Sequence, residues 1–223
     1  MSTLLNRIRE LPIVGILRGI TEEHLDQLAD TIIASGLKTI EITMNTPHAA
    51  NLITKFVSLS EGNLLIGAGT VLNRHDLFNA LEAGAKFIVT PSITEEVIEF
   101  CYLNSVPVFP GALTPTEIHR AWQNGATMVK VFPASLFGPA YFRDIKGPFE
   151  NIELMAVGGV SSENIAEYFA MGASAVAFGS SIFKKEYLEN GKYQLIEKAV
   201  KNLITAYKDR NNRTNIQHKP IIT

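Results

Sequence analysis

Asn124-Gly125-Ala126-Thr127-Met128-Val129-Lys130-Val131 holds the unit from which the fold is read: the end of a helix, a glycine, then a short apolar strand. The same order recurs at Ser35-Gly36-Leu37-Lys38-Thr39-Ile40-Glu41-Ile42, at Ala83-Gly84-Ala85-Lys86-Phe87-Ile88-Val89-Thr90 and at Met171-Gly172-Ala173-Ser174-Ala175-Val176-Ala177-Phe178. Each glycine stands where a helix C-terminus needs a left-handed residue before the chain turns into a strand. Thr46-Pro47 and Thr114-Pro115 read as helix starts, an N-cap followed by proline at the first helical position, and Glu117 completes a capping box with Thr114. Apolar runs predict eight strands, at 13–18, 38–43, 64–69, 86–90, 106–110, 127–132, 152–157 and 174–178, each followed by a helical stretch. Eight alternating units in this length predict an α/β fold, a (β/α)8 TIM barrel with a short N-terminal helix, over 1–208. A doubly wound sheet with miscounted strands is the alternative. Residues 209–223 are polar and asparagine-rich and are expected to form a loosely ordered tail.

With 46% hydrophobic and 19% charged residues, 223 residues suffice for one domain with a large core. A net charge of −2 and the lack of a long basic stretch argue against nucleic acid as a partner. The single cysteine, Cys101, excludes an internal disulfide and reads as a small buried hydrophobe in a helix, which fits a reducing cytosol. The N-terminal segment carries Arg7, Arg9 and Glu10 with no long apolar region, so it is not read as a signal peptide. No run approaches the ~20 apolar residues of a membrane span. The expectation is a soluble, cytoplasmic protein with no membrane partner.

Within the lysine strand, alternation puts Met128, Lys130 and Phe132 on one face and Thr127, Val129 and Val131 on the other. Burial lowers the pKa of a lysine held in such a strand, and a neutral amine can attack a ketone to form a Schiff base. A strand-end lysine whose stem snorkels to solvent is the other reading. In the second strand Ile40 and Ile42 share one face, so Glu41 points into the barrel with Thr39 and Thr43. A buried carboxylate has a catalytic role or forms a structural ion pair, here with Lys130 itself.

Active sites of such barrels form at the C-terminal ends of the strands, where Arg18, Glu41, Asn45, Thr70 and Lys130 fall. Two glycine-bearing turns, Val157-Gly158-Gly159-Val160-Ser161 and Phe178-Gly179-Ser180-Ser181, follow the last two strands, where these barrels bind phosphate. Together they predict a phosphorylated substrate. His24, His48, His75 and His119 lie in separate helical segments and His218 in the tail, so no metal site is expected.

These motifs resemble those of the class I aldolases that cleave 2-keto-3-deoxy-6-phospho sugar acids, the KDPG/KDPGal aldolase family. The resemblance runs through Gly15-Ile16-Leu17-Arg18-Gly19, Ile40-Glu41-Ile42-Thr43, Gly67-Ala68-Gly69-Thr70-Val71-Leu72, Val89-Thr90-Pro91, Val129-Lys130-Val131-Phe132-Pro133 and Ala156-Val157-Gly158-Gly159-Val160. It implies a (β/α)8 homotrimer that needs no cofactor. Lys130 matches the Schiff-base lysine, Glu41 the general acid/base, and Thr70 a residue that holds the pyruvate carboxylate. Gly158, Gly159, Gly179 and Ser180 match the phosphate site, while Arg18, Asn45, Pro91, Phe132 and Val157 are expected on the substrate. Members acting on the gluconate epimer usually carry arginine where this chain has Asn45, and threonine where it has Val157. Both departures resemble the galactonate branch, as does Ser135-Leu136-Phe137-Gly138-Pro139-Ala140-Tyr141. A threonine hydroxyl can bond a substrate hydroxyl of one configuration and valine cannot. Losing the arginine removes a bidentate carboxylate clamp, part of whose charge Arg18 would supply. Two other functions fit the same residues: a sugar-phosphate isomerase or epimerase, and a non-catalytic sugar-phosphate binding protein.

Overall fold

The computed structural model describes residues 2–210. Its strands are β1 (Ile13–Leu17), β2 (Thr39–Thr43), β3 (Leu65–Gly69), β4 (Ile88–Val89), β5 (Val108–Phe109), β6 (Gly111–Ala112), β7 (Val129–Val131), β8 (Leu154–Val157) and β9 (Ala175–Phe178). Around them lie α1 (Ser2–Glu10), α2 (Leu25–Ser35), α3 (Ala49–Leu59), α4 (Arg74–Glu82), α5 (Glu95–Leu103), α6 (Pro115–Gln123), α7 (Ala140–Lys146), α8 (Ile165–Ala170), α9 (Lys185–Glu189) and α10 (Tyr193–Lys208). All strand pairs are parallel, in the order β5-β4-β3-β2-β1-β9-β8-β7-β6.

β5 lies within the predicted fifth strand, and β6 carries that strand two residues beyond its predicted end at 110; the two halves part at Pro110, which has no N–H to give to a ladder. The Pro110 carbonyl still accepts from the Lys130 amide at 2.9 Å, so the break does not open the wall. The first half pairs with β4 and the second with β7, which joins the two ends of the order. The first and last strands also lie side by side, Val14 opposite Ala177. This closure is a (β/α)8 barrel and excludes the doubly wound sheet.

Alternation divides the apolar side chains into two layers. Ile40, Ile42, Val129 and Val131 point outward into the large core beneath the helices. Val14, Leu65, Phe87, Val89, Phe109, Met128, Met155 and Ala175 point inward. Ile8 of α1 joins this inner cluster, so the N-terminal helix packs on the barrel interior. The Phe87 and Phe109 rings fill it, centroids 5.5 Å apart, and Gly67 leaves the space that the Phe87 ring occupies. Burying each of these large side chains stabilises the fold by about 1.5–3 kcal/mol.

The recurring glycines end their helices as expected: Gly36, Gly84, Gly125 and Gly172 have φ of 83, 101, 96 and 99°. Thr114 caps α6 in a full capping box with Glu117. Thr46 does not cap α3. That helix begins at Ala49 after His48, and the Thr46 hydroxyl is buried and bonded to Gly19 and Thr43 instead. Beyond Arg210, the expected tail lies outside the described residues. Among the described residues no helix is long and apolar enough to cross a membrane.

Cys101 is fully buried in α5, and desolvation pushes its thiol up to about 12. At pH 8 a disulfide thiol reagent is expected to leave Cys101 unmodified in the native protein and to titrate one thiol in denaturant. Rapid native labelling would contradict this packing.

Candidate active site

A cavity of about 420 Å³ opens at the C-terminal ends of the strands. Arg18, Asn45, Thr70, Pro91, Lys130, Phe132, Val157, Gly158, Gly159, Gly179 and Ser180 all lie on its wall, although they come from seven separate segments of the chain. Glu41 is the one predicted site residue that does not line it.

Lys130 rises from β7 between Gly111 and Met155 in register. Its side chain is 6% exposed, and its amine lies 5.4 Å from the Phe132 ring centroid. The snorkelling alternative therefore does not hold, because the amine is enclosed by the barrel. Glu41 stands on β2 between Ile16 and Gly67. Its carboxylate lies over Gly69: a methyl group there would come within 2.7 Å of the carboxylate carbon, so a larger residue would displace it. Glu41 and Lys130 form no direct ion pair, and neither side chain hydrogen-bonds to another of the described residues. The structural ion pair is thus not what holds them.

Burial pushes the Glu41 carboxyl above the usual carboxylate range, while the Lys130 and Arg18 cations pull it down. Burial likewise lowers the Lys130 ammonium below the usual lysine range. Glu41 opposes that shift and Arg18 adds to it. Arg18 is exposed at the end of β1, and its Nη2 donates to the Thr70 hydroxyl at 3.4 Å. Thr70 has φ of 53°, a left-handed conformation that costs a β-branched residue about 1–3 kcal/mol. The β3 end is thus held in a strained form where it meets Arg18.

On the opposite wall Gly158 and Gly159 follow β8 with φ of 96 and 77°. A methyl group on Gly159 would overlap Ser135 at 2.6 Å. The amides of Gly159, Val160, Ser180 and Ser181 donate to no acceptor among the described residues. Unfilled N–H groups from two neighbouring turns suit a phosphate oxyanion. Among the described residues no group of three or more His, Cys, Asp or Glu side chains is gathered to hold a metal ion.

The family profile "Aldolase: KDPG and KHG aldolase" matches residues 4–199. This chain belongs to that family. It is 35% identical over 199 residues to the 2-dehydro-3-deoxy-phosphogluconate aldolase of Pseudomonas aeruginosa, covering 89% of each. It is 36% identical over 176 residues to the 2-dehydro-3-deoxy-6-phosphogalactonate aldolase of Escherichia coli K12, covering 78% of this chain and 86% of that one. The KDPG aldolase of Legionella pneumophila, solved with pyruvate captured as a covalent carbinolamine, superposes with a TM-score of 0.79 at 27% identity, covering 86% of this chain and 93% of that one. The aldolase barrel and the lyase class thus rest on both fold and sequence.

Sequence reading missed several wall residues of this aldolase. Ile16 and Ala177 line the cavity, as do Val160, Phe178 and Ser181. Alternation would have found the first two, since Ile16 shares a face with Arg18 and Ala177 with Gly179. Lys130 titration tests the electrostatics without substrate. Cyanate modification of Lys130, followed by peptide mass, should show a midpoint shifted to lower pH in Glu41→Gln and to higher pH in Arg18→Gln. The signs follow from removing the group that raises the pKa or the group that lowers it. Shifts in the opposite order would refute the arrangement.

Proposed function

We propose that this aldolase is a class I enzyme that cleaves a 2-keto-3-deoxy-6-phospho sugar acid to pyruvate and D-glyceraldehyde 3-phosphate, with the galactonate epimer preferred. The observation that carries the reading is Lys130, an enclosed amine on the wall of a cavity where the turns after β8 and β9 present unfilled amides. The resemblance extends it to a cytosolic homotrimer with the barrel over 1–208. An isomerase or a binding protein would need no enclosed amine held out of an ion pair.

The neutral amine of Lys130 attacks the C2 ketone, and the carbinolamine takes up a proton and loses water to give an iminium, the proton being returned when the iminium is later hydrolysed. The C4 hydroxyl proton passes to Glu41, directly or through a water molecule. The C3–C4 bond breaks and its electron pair enters the iminium, leaving an enamine, while C4 becomes the aldehyde of glyceraldehyde 3-phosphate. Glu41 returns the proton to C3, and hydrolysis frees pyruvate and Lys130. A carboxyl held above its usual range is a stronger base for this transfer. Thr70 and Arg18 face the substrate carboxylate. The turns at Gly158–Gly159 and Gly179–Ser180 hold the phosphate, so remote binding energy positions the bond that breaks.

Asn45 and Val157 support the galactonate epimer. Both lie on the cavity wall, where an arginine clamp and a threonine hydroxyl would otherwise meet the substrate. Sequence identity to the Pseudomonas gluconate-epimer enzyme supports the other preference at the same chemistry.

Borohydride with pyruvate should fix a stable adduct on Lys130, seen by peptide mass, and Lys130→Met should give none. Labelling of the variant at wild-type level would remove Lys130 from its role. Pyruvate release from each C4 epimer, coupled to lactate dehydrogenase, should be faster for 2-keto-3-deoxy-6-phosphogalactonate. Val157→Thr with Asn45→Arg should shift the ratio toward the gluconate epimer by about 10-fold or more. Faster gluconate cleavage by the unaltered enzyme would reverse the epimer assignment and keep the mechanism.

A further inference from the structure

Three strand ends at the cavity are tied into one closed ring, and a single hydroxyl joins two of them. The Gly19 amide donates to the Thr46 hydroxyl at 3.0 Å, and that oxygen lies 3.0 Å from the Thr43 hydroxyl. The next residue along, Met44, donates its amide to Gly69 at 2.7 Å. Thr70, which follows Gly69, accepts from Arg18, and Arg18 precedes Gly19. The ring thus runs from the β1 end to the β2 end, to the β3 end and back. Thr46 is 3% exposed and does not line the cavity, whereas its neighbour Asn45 and the ring members Arg18 and Thr70 all do.

Gly19 has φ of 65°, so the chain reverses sharply just after Arg18. Its amide is held by the Thr46 side chain and by no backbone carbonyl. Without that hydroxyl a partly buried N–H would lack a partner, and the corner that carries Arg18 would be free to move relative to Asn45. We propose that Thr46 is the positioning residue that fixes Arg18 and Asn45 against each other for the substrate carboxylate. This rests on the Schiff-base reading above, and goes beyond it by giving a role to a residue that cannot touch the substrate.

The test uses the full chain and borohydride trapping of pyruvate on Lys130, read as adduct against pyruvate concentration. Thr46→Val should raise the half-saturating pyruvate about 10- to 100-fold with the saturating yield kept, and Thr46→Ser should stay within about threefold of the unaltered protein. Thr39→Val, which removes a buried hydroxyl at the start of β2 outside the ring, should leave the curve unchanged. A Thr46→Val curve matching the unaltered protein overturns the proposal. An equal shift in Thr39→Val also overturns it, by showing general loosening. If Thr46→Val does not fold, Thr43→Val decides: it removes the other hydroxyl of the pair and should shift the curve in the same direction, and no shift rejects the ring. Absence of adduct in the unaltered protein is a different result, which refutes the Schiff-base reading itself.

Discussion

An amine and a carboxylate share the interior of this barrel without touching, and much of the surrounding architecture follows from keeping them so. A direct Glu41–Lys130 pair would hold the amine protonated and the carboxyl ionised, leaving neither a nucleophile nor a base of raised pKa. Strands on opposite sides of the barrel present them, β2 and β7. The lower interior is filled by Phe87, Phe109, Met128 and Met155, which leaves the two ionisable groups at the open end. Gly69 supplies the space that lets the carboxylate lie over β3 rather than reach toward the amine. The cost of burying two charges is met by shifting both toward their neutral forms.

The strand ends carry the rest of the site, and hydrogen bonds tie them to one another. Thr70 is held in the left-handed region, and the turn after β2 is bonded to both neighbouring strand ends. Strain and buried hydroxyl bonds at one edge of the cavity contrast with the glycine turns at the other, whose amides are left unfilled. In the proposed mechanism one edge orients the substrate and the other accepts its phosphate.

The barrel was legible because its signals are local and periodic. Glycine-terminated helices and period-2 strands suffice to put Ile40 and Ile42 outside and Glu41 inside. Alternation gives the face of a residue and not its depth, so it could not show that Glu41 does not line the cavity. Thr46 was misread for the same reason: Thr-Pro is a strong local helix start, and the competing bond comes from Gly19, far away in sequence. Pro110 could have signalled the split strand, since it has no N–H for the ladder. The unfilled amides after β8 and β9 depend on how two turns meet in space, which the glycines suggest and cannot fix.

Arg18 has an effect that neither Glu41 nor Lys130 can have on the other. The mutual attraction of Glu41 and Lys130 raises the amine and lowers the carboxyl. Arg18 lowers both, which favours the neutral amine and the ionised base together. A substrate bearing a carboxylate and a phosphate brings negative charge beside Lys130 and favours its protonation. A cation at the carboxylate end offsets that charge at the moment the nucleophile is needed. In the proposed mechanism, with asparagine at position 45, this duty falls on Arg18, whose own position depends on the corner at Gly19. Charge balance at Lys130 and backbone geometry at the β1 end are therefore one constraint, met by the same few residues.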